Sequence, residues 1–267
     1  MSSSIKVYLE SNKAHSTFNE VHKKFKLLNP ISIKKGEKIV LNVLDAEIPV
    51  SFYNINSNNN RTISYNIGGI GGGKTQVIAV GNYSGEALAL LLTTNSLSVS
   101  YNDLTNKFSF KSSTSSSGSI QPNIILGITT TLTLAATSGA FVEAQQQGKF
   151  SGINNIFVKI RNIGTHNIDS QGVHTDIVAK IPVSEDFGGV IQYLDHHNIF
   201  QALSIKSINT LDIELVDRDG KYIGGDGGLG GLEFNLTLLF SFVLTDENMN
   251  LSGKNLIDKL TRVMDKK

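Results

Sequence analysis

The sequence predicts an all-β protein: a single jelly roll, an eight-stranded antiparallel Greek-key sandwich with extra hairpins. The first observation is that apolar and polar residues alternate in short runs, which are separated by clusters of Gly, Asn, Asp and Ser. The second is that helical patterns are few, so the strands follow one another with almost no intervening helix. The third is the irregular spacing of the runs, which suits a jelly roll better than an up-and-down barrel.

The strand signal is carried by runs of alternating or β-branched residues. These runs are residues 39–44, 61–67, 75–80, 97–101, 107–111, 155–163, 176–181, 211–216 and 233–243. Residues 97–101 and 107–111 flank a polar stretch rich in Asn, which predicts a hairpin with a longer loop. Residues 124–144 are ambiguous: they are apolar and rich in Thr, which suits strands, but residues 134–147 also contain Ala and Gln.

Two segments carry a helical signal. Ser84 is a good N-cap for a short helix over residues 85–92, which would lie between two strands. Residues 251–264 form an amphipathic stripe that could fold back on the sheet or dock on a neighbour. We therefore predict one short internal helix and a C-terminal amphipathic helix. The expected organisation is one domain, residues 1–267, with an N-terminal arm (1–35) and a C-terminal helical tail (246–267).

Composition excludes several classes of protein. Apolar residues make up 40% of the chain and charged residues 18%, which is typical of a folded protein. The net charge of +1 gives no global field to attract nucleic acid or an anionic membrane. Lys34, Lys35 and Lys38 could form a local basic patch, or they could belong to a solvated turn.

The chain contains no cysteine, which excludes disulfides, thiolate zinc sites and cysteine nucleophiles. Synthesis inside a cell fits this composition better than a small secreted scaffold does. The N-terminus lacks the charged and apolar regions of a signal peptide. No run reaches the ~18 apolar residues that a membrane-spanning helix needs, so we expect no membrane span.

Residues 68–75 satisfy the pattern of a phosphate-binding loop, which would assign Lys74 to a nucleotide-dependent enzyme. Such a loop works because it leads into a helix whose N-terminal N–H groups hold the phosphates. The residues after Thr75 form a β-type run, and Asp212 and Glu214 alternate with apolar residues as on a half-exposed strand. The sequence therefore predicts a flexible glycine-rich hairpin tip, Gly68 to Gly73, and no nucleotide partner.

The candidate metal ligands also have a simpler explanation. Asp217 and Asp219 resemble the start of a calcium loop, but the twelfth position is Gly228 where a glutamate is required. Residues 224–228 resemble one fragment of a calcium β-roll, which occurs in tandem arrays. Asp and Gly supply the conformations of a strand connection without any metal. We predict no metal site.

No arrangement of side chains predicts catalysis. The histidines are scattered along the chain: His15, His22, His166, His174, His196 and His197. Glu185, Asp186 and Asp195 are close in sequence, but nothing indicates a paired-carboxylate cleft. The aromatic residues on strand positions are assigned to the core, and we expect no nucleic-acid partner. They are Phe108, Phe110, Phe157, Phe234, Phe240 and Phe242. We therefore predict no catalytic residue and no cofactor, and a protein that is not an enzyme.

Four segments, in order and spacing, resemble penton (minor capsid) proteins of virophages, polinton-like viruses and some giant DNA viruses. Residues 44–55 resemble that family's first core strand and following turn. Gly81-Asn82-Tyr83 is similar to its entry into a short helix, which is followed by a strand pair like residues 99–110. Residues 211–220 and 232–240 resemble its last two strands and their connecting loop.

The resemblance extends, in patches, over roughly residues 5–243. It implies a homopentamer at the capsid vertices, beside a major capsid protein with a double jelly roll, and a location in the virion after synthesis in the host cell. It offers no catalytic residues. The alternative is a ligand-binding jelly roll, such as a lectin-like or host-attachment module. The absence of Trp, a favoured stacking surface for glycans, weighs against that alternative.

Overall fold

The computed structural model describes residues 3–56, 61–68, 73–136, 139–149, 152–164, 167–168, 174–196, 200–224 and 228–244. The chain divides into two compact units. The first, which we call the jelly-roll unit, comprises Met1–Ser51, Asn155–Ile223 and Gly228–Lys267. The second, the inserted unit, comprises Phe52–Asn154 and Gly224–Gly227. The expected single domain over residues 1–267 stays a prediction.

The described residues form nineteen strands, one α-helix (α1, Gly85–Leu92) and one 3-10 helix (Ser11–Lys13). In chain order the strands are β1 Ser4–Glu10, β2 Ser16–Asn19, β3 His22–Ser32, β4 Glu37–Pro49, β5 Thr62–Ile67, β6 Lys74–Val77, β7 Leu97–Asn102, β8 Lys107–Ser112, β9 Gly118–Ile120, β10 Leu132–Leu134, β11 Val142–Glu143, β12 Asn155–Ile160, β13 Asn167–Ile168, β14 His174–Thr175, β15 Ile177–Pro182, β16 Val190–Leu194, β17 Gln201–Ala202, β18 Ser207–Val216 and β19 Asn235–Leu244. No described helix combines the length and the apolarity needed to cross a bilayer.

The jelly-roll unit contains two large antiparallel sheets with Greek-key connections, besides the short pair β13-β14. One sheet has the order β1-β19-β4-β16, with β17 also paired to β4, and the other has the order β15-β12-β18-β3-β2. When β1, β3, β4, β12, β15, β16, β18 and β19 are lettered B to I in chain order, the sheets read B-I-D-G and C-H-E-F. This is the strand order of a jelly roll, and it confirms the predicted fold class.

Alternation along the strands explains why these sheets form. Leu41 of β4 lies opposite Phe240 of β19, and both side chains are fully buried. Ile213 and Leu215 of β18 are equally buried on the other sheet. Burying each such side chain contributes roughly 1.5–3 kcal/mol, so the inward positions of the two sheets supply the main stabilisation.

The inserted unit lies between β4 and β12 in the chain and has a core of its own. It contains a four-stranded sheet, β10-β9-β5-β6, and a three-stranded sheet, β11-β8-β7. Its buried cluster includes Leu88 and Leu92 of α1 together with Phe108 and Phe110 of β8. The predicted hairpin is confirmed as β7 and β8, which pair from Leu97 to Ser112.

Helix α1 begins where the sequence predicts. Ser84 Oγ accepts a hydrogen bond from the N–H of Ala87 at 3.2 Å, which satisfies one of the unpaired donors of the first turn. The helix ends at Leu92, and the hydroxyl of Thr93 donates to the carbonyl of Ala89 at 3.0 Å. The predicted internal helix is therefore confirmed, whereas the predicted C-terminal helix lies outside the described residues.

The segment that we expected to be an N-terminal arm contributes three strands. β1 pairs with β19, and β3 pairs with both β18 and β2. The alternation in β3 is obscured because Lys23, Lys24 and Lys26 surround the buried Phe25. Pattern analysis therefore placed no strand there, although β1 and β3 are the first two strands of the sandwich.

Two further boundaries differ from expectation. Residues 44–55, which resemble a first core strand and turn, contain the end of β4, the third sandwich strand, because β1 and β3 precede it. The run expected over 75–80 ends at Val77, because the next pairing is a bridge between Ile55 and Gly81. Residues 124–144, which fitted both patterns, hold a turn and the short strands β10 and β11.

Gly127 provides a local test of the inserted unit. Its φ is +72°, and an added Cβ would overlap the carbonyl oxygen of Gln146. Gly139 is the matched control, because its φ is +57° and an added Cβ meets nothing within 4 Å. We expect Gly127→Ala to lower the free energy of unfolding by more than about 2 kcal/mol and Gly139→Ala by about 1 kcal/mol. Chemical denaturation followed by far-UV circular dichroism measures both; equal losses would contradict the overlap.

Candidate functional site

The strands on either side of the glycine-rich segment, β5 and β6, pair with each other antiparallel. Lys74 begins β6, lies opposite Tyr65 of β5, and donates from Nζ to Ser96 Oγ at 3.1 Å. The β-type run predicted after the glycines is confirmed for residues 74–77. The backbone that follows Thr75 is therefore extended and offers no helix N-terminus to a phosphate group. Residues 69–72 lie outside the described part of the chain.

The predicted aspartate turn uses its carboxylate for its own backbone. Asp217 Oδ1 accepts from the N–H of Asp219 at 2.9 Å and from that of Lys221 at 3.0 Å. An oxygen engaged in this way stabilises the turn after β18. In the described ranges, no group of three or more His, Cys, Asp or Glu side chains is arranged to hold a metal ion. Residues 225–227 are not among those ranges.

The described histidines lie in different elements or loops. His15 and His196 are exposed, and His22 is buried on β3. His174 lies on β14, whereas His166 and His197 fall outside the described residues. Of the aromatic residues assigned to the core, Phe108, Phe110, Phe234 and Phe240 are fully buried, and Phe157 and Phe242 are partly buried.

A polar cluster, which sequence analysis missed, surrounds the buried residues His22 and Glu214 on the outer face of the β18 sheet. It comprises His22, Arg161, Asp212, Glu214 and Tyr222. Glu214 lies opposite His22 in the sheet register, and Asp212 is two residues away on the same face. Glu214 is only 1% exposed, so the expectation of a half-exposed strand is wrong at this position.

Glu214 is the centre of the cluster. Its Oε1 atom is 2.9 Å from Nε of Arg161 and accepts from the hydroxyl of Tyr222 at 3.1 Å. His22 places Nδ1 3.4 Å from the same oxygen and Nε2 2.7 Å from Asp212 Oδ1. The ring of Phe18 stacks on His22 with 4.3 Å between centroids. These contacts tie β2, β3, β18 and the residue after β12 together.

The electrostatics of the cluster follow from burial and charge. Burial raises the pKa of Tyr222, and its hydrogen bond to Glu214 raises it further. Burial acts to lower the pKa of Arg161, but Glu214, together with Tyr222 and Asp212, more than offsets this and raises the pKa above its ordinary value. A carboxylate that already accepts from a guanidinium and a phenol is a structural clamp, because its charge is compensated inside the fold.

The raised pKa of Tyr222 predicts a loss of stability at alkaline pH. When the folded-state pKa exceeds the unfolded one, the neutral form contributes stability that is fully present below pH ~10 and is lost as the pH rises through the folded pKa. Tyr222→Phe should remove this contribution to the loss of stability at alkaline pH. At neutral pH it should lower the free energy of unfolding by about 1 kcal/mol, because the hydrogen bond to Glu214 is lost. Guanidinium midpoints between about pH 8 and about pH 11 measure it. The same alkaline decline in both proteins would contradict the assignment.

The three lysines singled out in the sequence share one groove. Lys34, Lys35 and Lys38 line a groove of about 660 Å³ together with Lys206, between residues 33–38 and 202–206. Glu37 lies among them and accepts from the N–H of Lys34 at 2.9 Å. Four lysines that line one groove concentrate positive charge there more than three lysines in a solvated turn would. The basic-patch and solvated-turn interpretations both stay open.

The two edges of the sandwich expose apolar side chains. One edge carries β1, β2 and the part of β3 that extends past β2, and the other carries β15 and β16. Exposed apolar residues on the first edge are Ile5, Tyr8, Phe18 and Leu28, and those on the second are Phe187, Val190 and Leu194. Apolar side chains on edge strands favour pairing with another chain, so the edges are candidate contact surfaces.

This chain is similar to known proteins in structure and not in sequence. No protein-family model and no curated protein sequence matches the chain. Among solved structures, the crystal structure of the mavirus penton protein, labelled with selenomethionine, matches with a TM-score of 0.51 and 9% sequence identity. The match covers 90% of this chain and 100% of that one. A chain of the Sputnik virophage structure, determined by cryo-electron microscopy, matches with a TM-score of 0.42 and 11% identity over 90% and 97% of the two chains.

The fold is thus a single jelly roll with an inserted β unit, and it is similar to that of the mavirus penton protein. The predicted resemblance to penton proteins is confirmed at the level of the fold. The unmatched tenth of the chain is shorter than Phe52–Asn154, so the match extends into both units.

Proposed function

We propose that this chain is a structural capsid protein, a penton (minor capsid) subunit that forms homopentamers at the vertices of an icosahedral virion. The observation that supports this most is the fold shared with the mavirus penton protein along that protein's whole length. In this proposal the chain is made in the host cell, is not an enzyme, and is assembled beside a major capsid protein with a double jelly roll.

The described residues support a role in assembly for a physical reason. A jelly roll buries one face of each sheet, so its edges and connecting loops are available for contacts with neighbours. The polar cluster around Glu214 compensates its charges inside the fold, which suits a stabilising role. Rings of five need heterologous contacts, in which two different surfaces of each subunit meet. The sandwich has two such surfaces at its edges.

Native mass spectrometry of the purified full-length chain tests the oligomer number. The proposal predicts a species of five chains, each of 28.9 kDa, that persists on dilution. Light scattering in solution provides an independent measurement of mass. A stable monomer at every concentration, together with absence of the chain from virions, would rule the proposal out.

A further inference from the structure

We infer that the two edges of the jelly-roll unit bind each other between neighbouring copies of this chain, head to tail. This inference rests on the proposed function, because it names the surfaces by which the subunits of the ring make contact. We call residues 4–32, with β1, β2 and β3, the basic edge. We call residues 176–196, with β15 and β16, the acidic edge.

The two edges carry opposite charge. The basic edge contains five lysines and two glutamates, a net charge of +3. The acidic edge contains three aspartates, one glutamate and one lysine, a net charge of −3. The whole chain has a net charge of only +1, so this asymmetry is a local property of the edges. Complementary patches of this kind steer association and set the orientation of the partners.

Several exposed charges on the edges are unpaired within the part of the chain that the structure describes. Lys6, Lys13 and Lys26 are exposed on the basic edge, and Glu185 and Asp186 are exposed on the acidic edge. None of these five forms a salt bridge with another described residue. They are therefore available to pair with a second copy.

Apolar residues accompany these charges on both edges. Tyr8 is 72% exposed on β1, and Leu194 is 58% exposed on β16. Phe187 directly follows Asp186 in the loop between β15 and β16 and is 54% exposed. Aromatic and apolar side chains flanked by charge are the composition of a protein interface, in which a desolvated centre is surrounded by a polar rim.

The strand directions allow this contact in a closed ring. β1 is antiparallel to β19, β19 to β4, and β4 to β16, so β1 and β16 run in opposite directions at the two ends of their sheet. Rotation about an axis along the strands keeps those directions. It would therefore bring β1 of one copy beside β16 of the next in an antiparallel arrangement, as in the rest of the sheet. Such a contact uses different surfaces on the two partners, as ring closure requires.

Charge reversal on the full-length chain tests the contact. The variants are K6E/K26E on the basic edge, E185K/D186K on the acidic edge, and the combination of all four substitutions. Either pair alone should raise the dissociation constant of the oligomer at least about tenfold, because like charges then face each other. The combined variant should return to within about threefold of the wild type, since opposite charges are restored.

The matched control is K34E/K35E, which reverses two lysines in the turn between β3 and β4 and should leave assembly unchanged. Native mass spectrometry and sedimentation velocity measure the oligomer, and circular dichroism checks that each variant is folded. Suppose that the wild type forms a pentamer. If both charge-reversal pairs then leave the pentamer intact, or if the combined variant does not regain it, the edge contact is overturned and the proposed ring is not. A wild-type chain that stays monomeric would overturn both the contact and the proposed ring.

Discussion

We expect Phe240→Ala to lower the free energy of unfolding by about 3–5 kcal/mol, because it leaves a cavity in the sandwich core. Phe240 is fully buried on β19, opposite Leu41 of β4 and Ile5 of β1. Its ring therefore lies at the centre of the B-I-D-G sheet. Chemical denaturation measures the loss at a fixed protein concentration, because assembly adds to apparent stability. Hydrogen exchange of the β19 amides reports on this sheet separately.

Phe200→Ala is the matched control, because the same ring is 46% exposed before β17. We expect it to lower the free energy of unfolding by no more than about 1 kcal/mol. The ring of Phe200 buries less apolar area on folding, and its removal leaves no enclosed cavity. Equal effects of the two substitutions would mean that β19 does not supply the core of the jelly-roll unit.

Glu214→Ala should cost about 2–4 kcal/mol, the second-largest effect that we expect. The substitution removes the acceptor of Arg161 and Tyr222 and leaves a gap where the side chain was 2% exposed. The lower end of the range reflects Arg161, whose side chain is 56% exposed and can regain water. Glu214→Gln keeps the size and an acceptor, so its cost should be smaller.

An exposed ion pair provides the comparison. Glu143 lies 3.3 Å from Lys107 and is 48% exposed, so Glu143→Ala should change the free energy of unfolding by no more than about 1 kcal/mol. Denaturation curves of the three variants, measured at the same pH, give the ranking. If Glu214→Ala cost no more than Glu143→Ala, the cluster would not be the clamp that its distances indicate.

The parts of the fold that the sequence predicted are those with local patterns. Residues 211–215 of β18 alternate in sequence, β19 is rich in apolar residues, and Ser84 marks the start of α1. Hairpin β7–β8 has a polar loop between two alternating runs. In each case, residues within a few positions of one another determine the structure, so the pattern is visible without knowledge of the tertiary contacts.

The parts that the sequence did not predict depend on distant residues. β3 is a strand because β18 pairs with it, although three lysines mask its alternation. Glu214 is buried because residues far away in the chain surround it, including His22 and Arg161. A His on one strand opposite a Glu on another gives no signal in sequence until the register is known. The charges of residues 4–32 and 176–196 can be counted from the sequence. Only the sheet topology shows that these segments form the two edges.

Cryo-electron microscopy of isolated virus particles tests the central claim most directly. At the five-fold vertices, the account predicts density for five copies of a jelly-roll unit, each with its inserted unit, into which this chain fits along its described length. The basic edge of each copy should face the acidic edge of the next. Vertices built from another chain, in particles from which this protein is absent, would contradict the account.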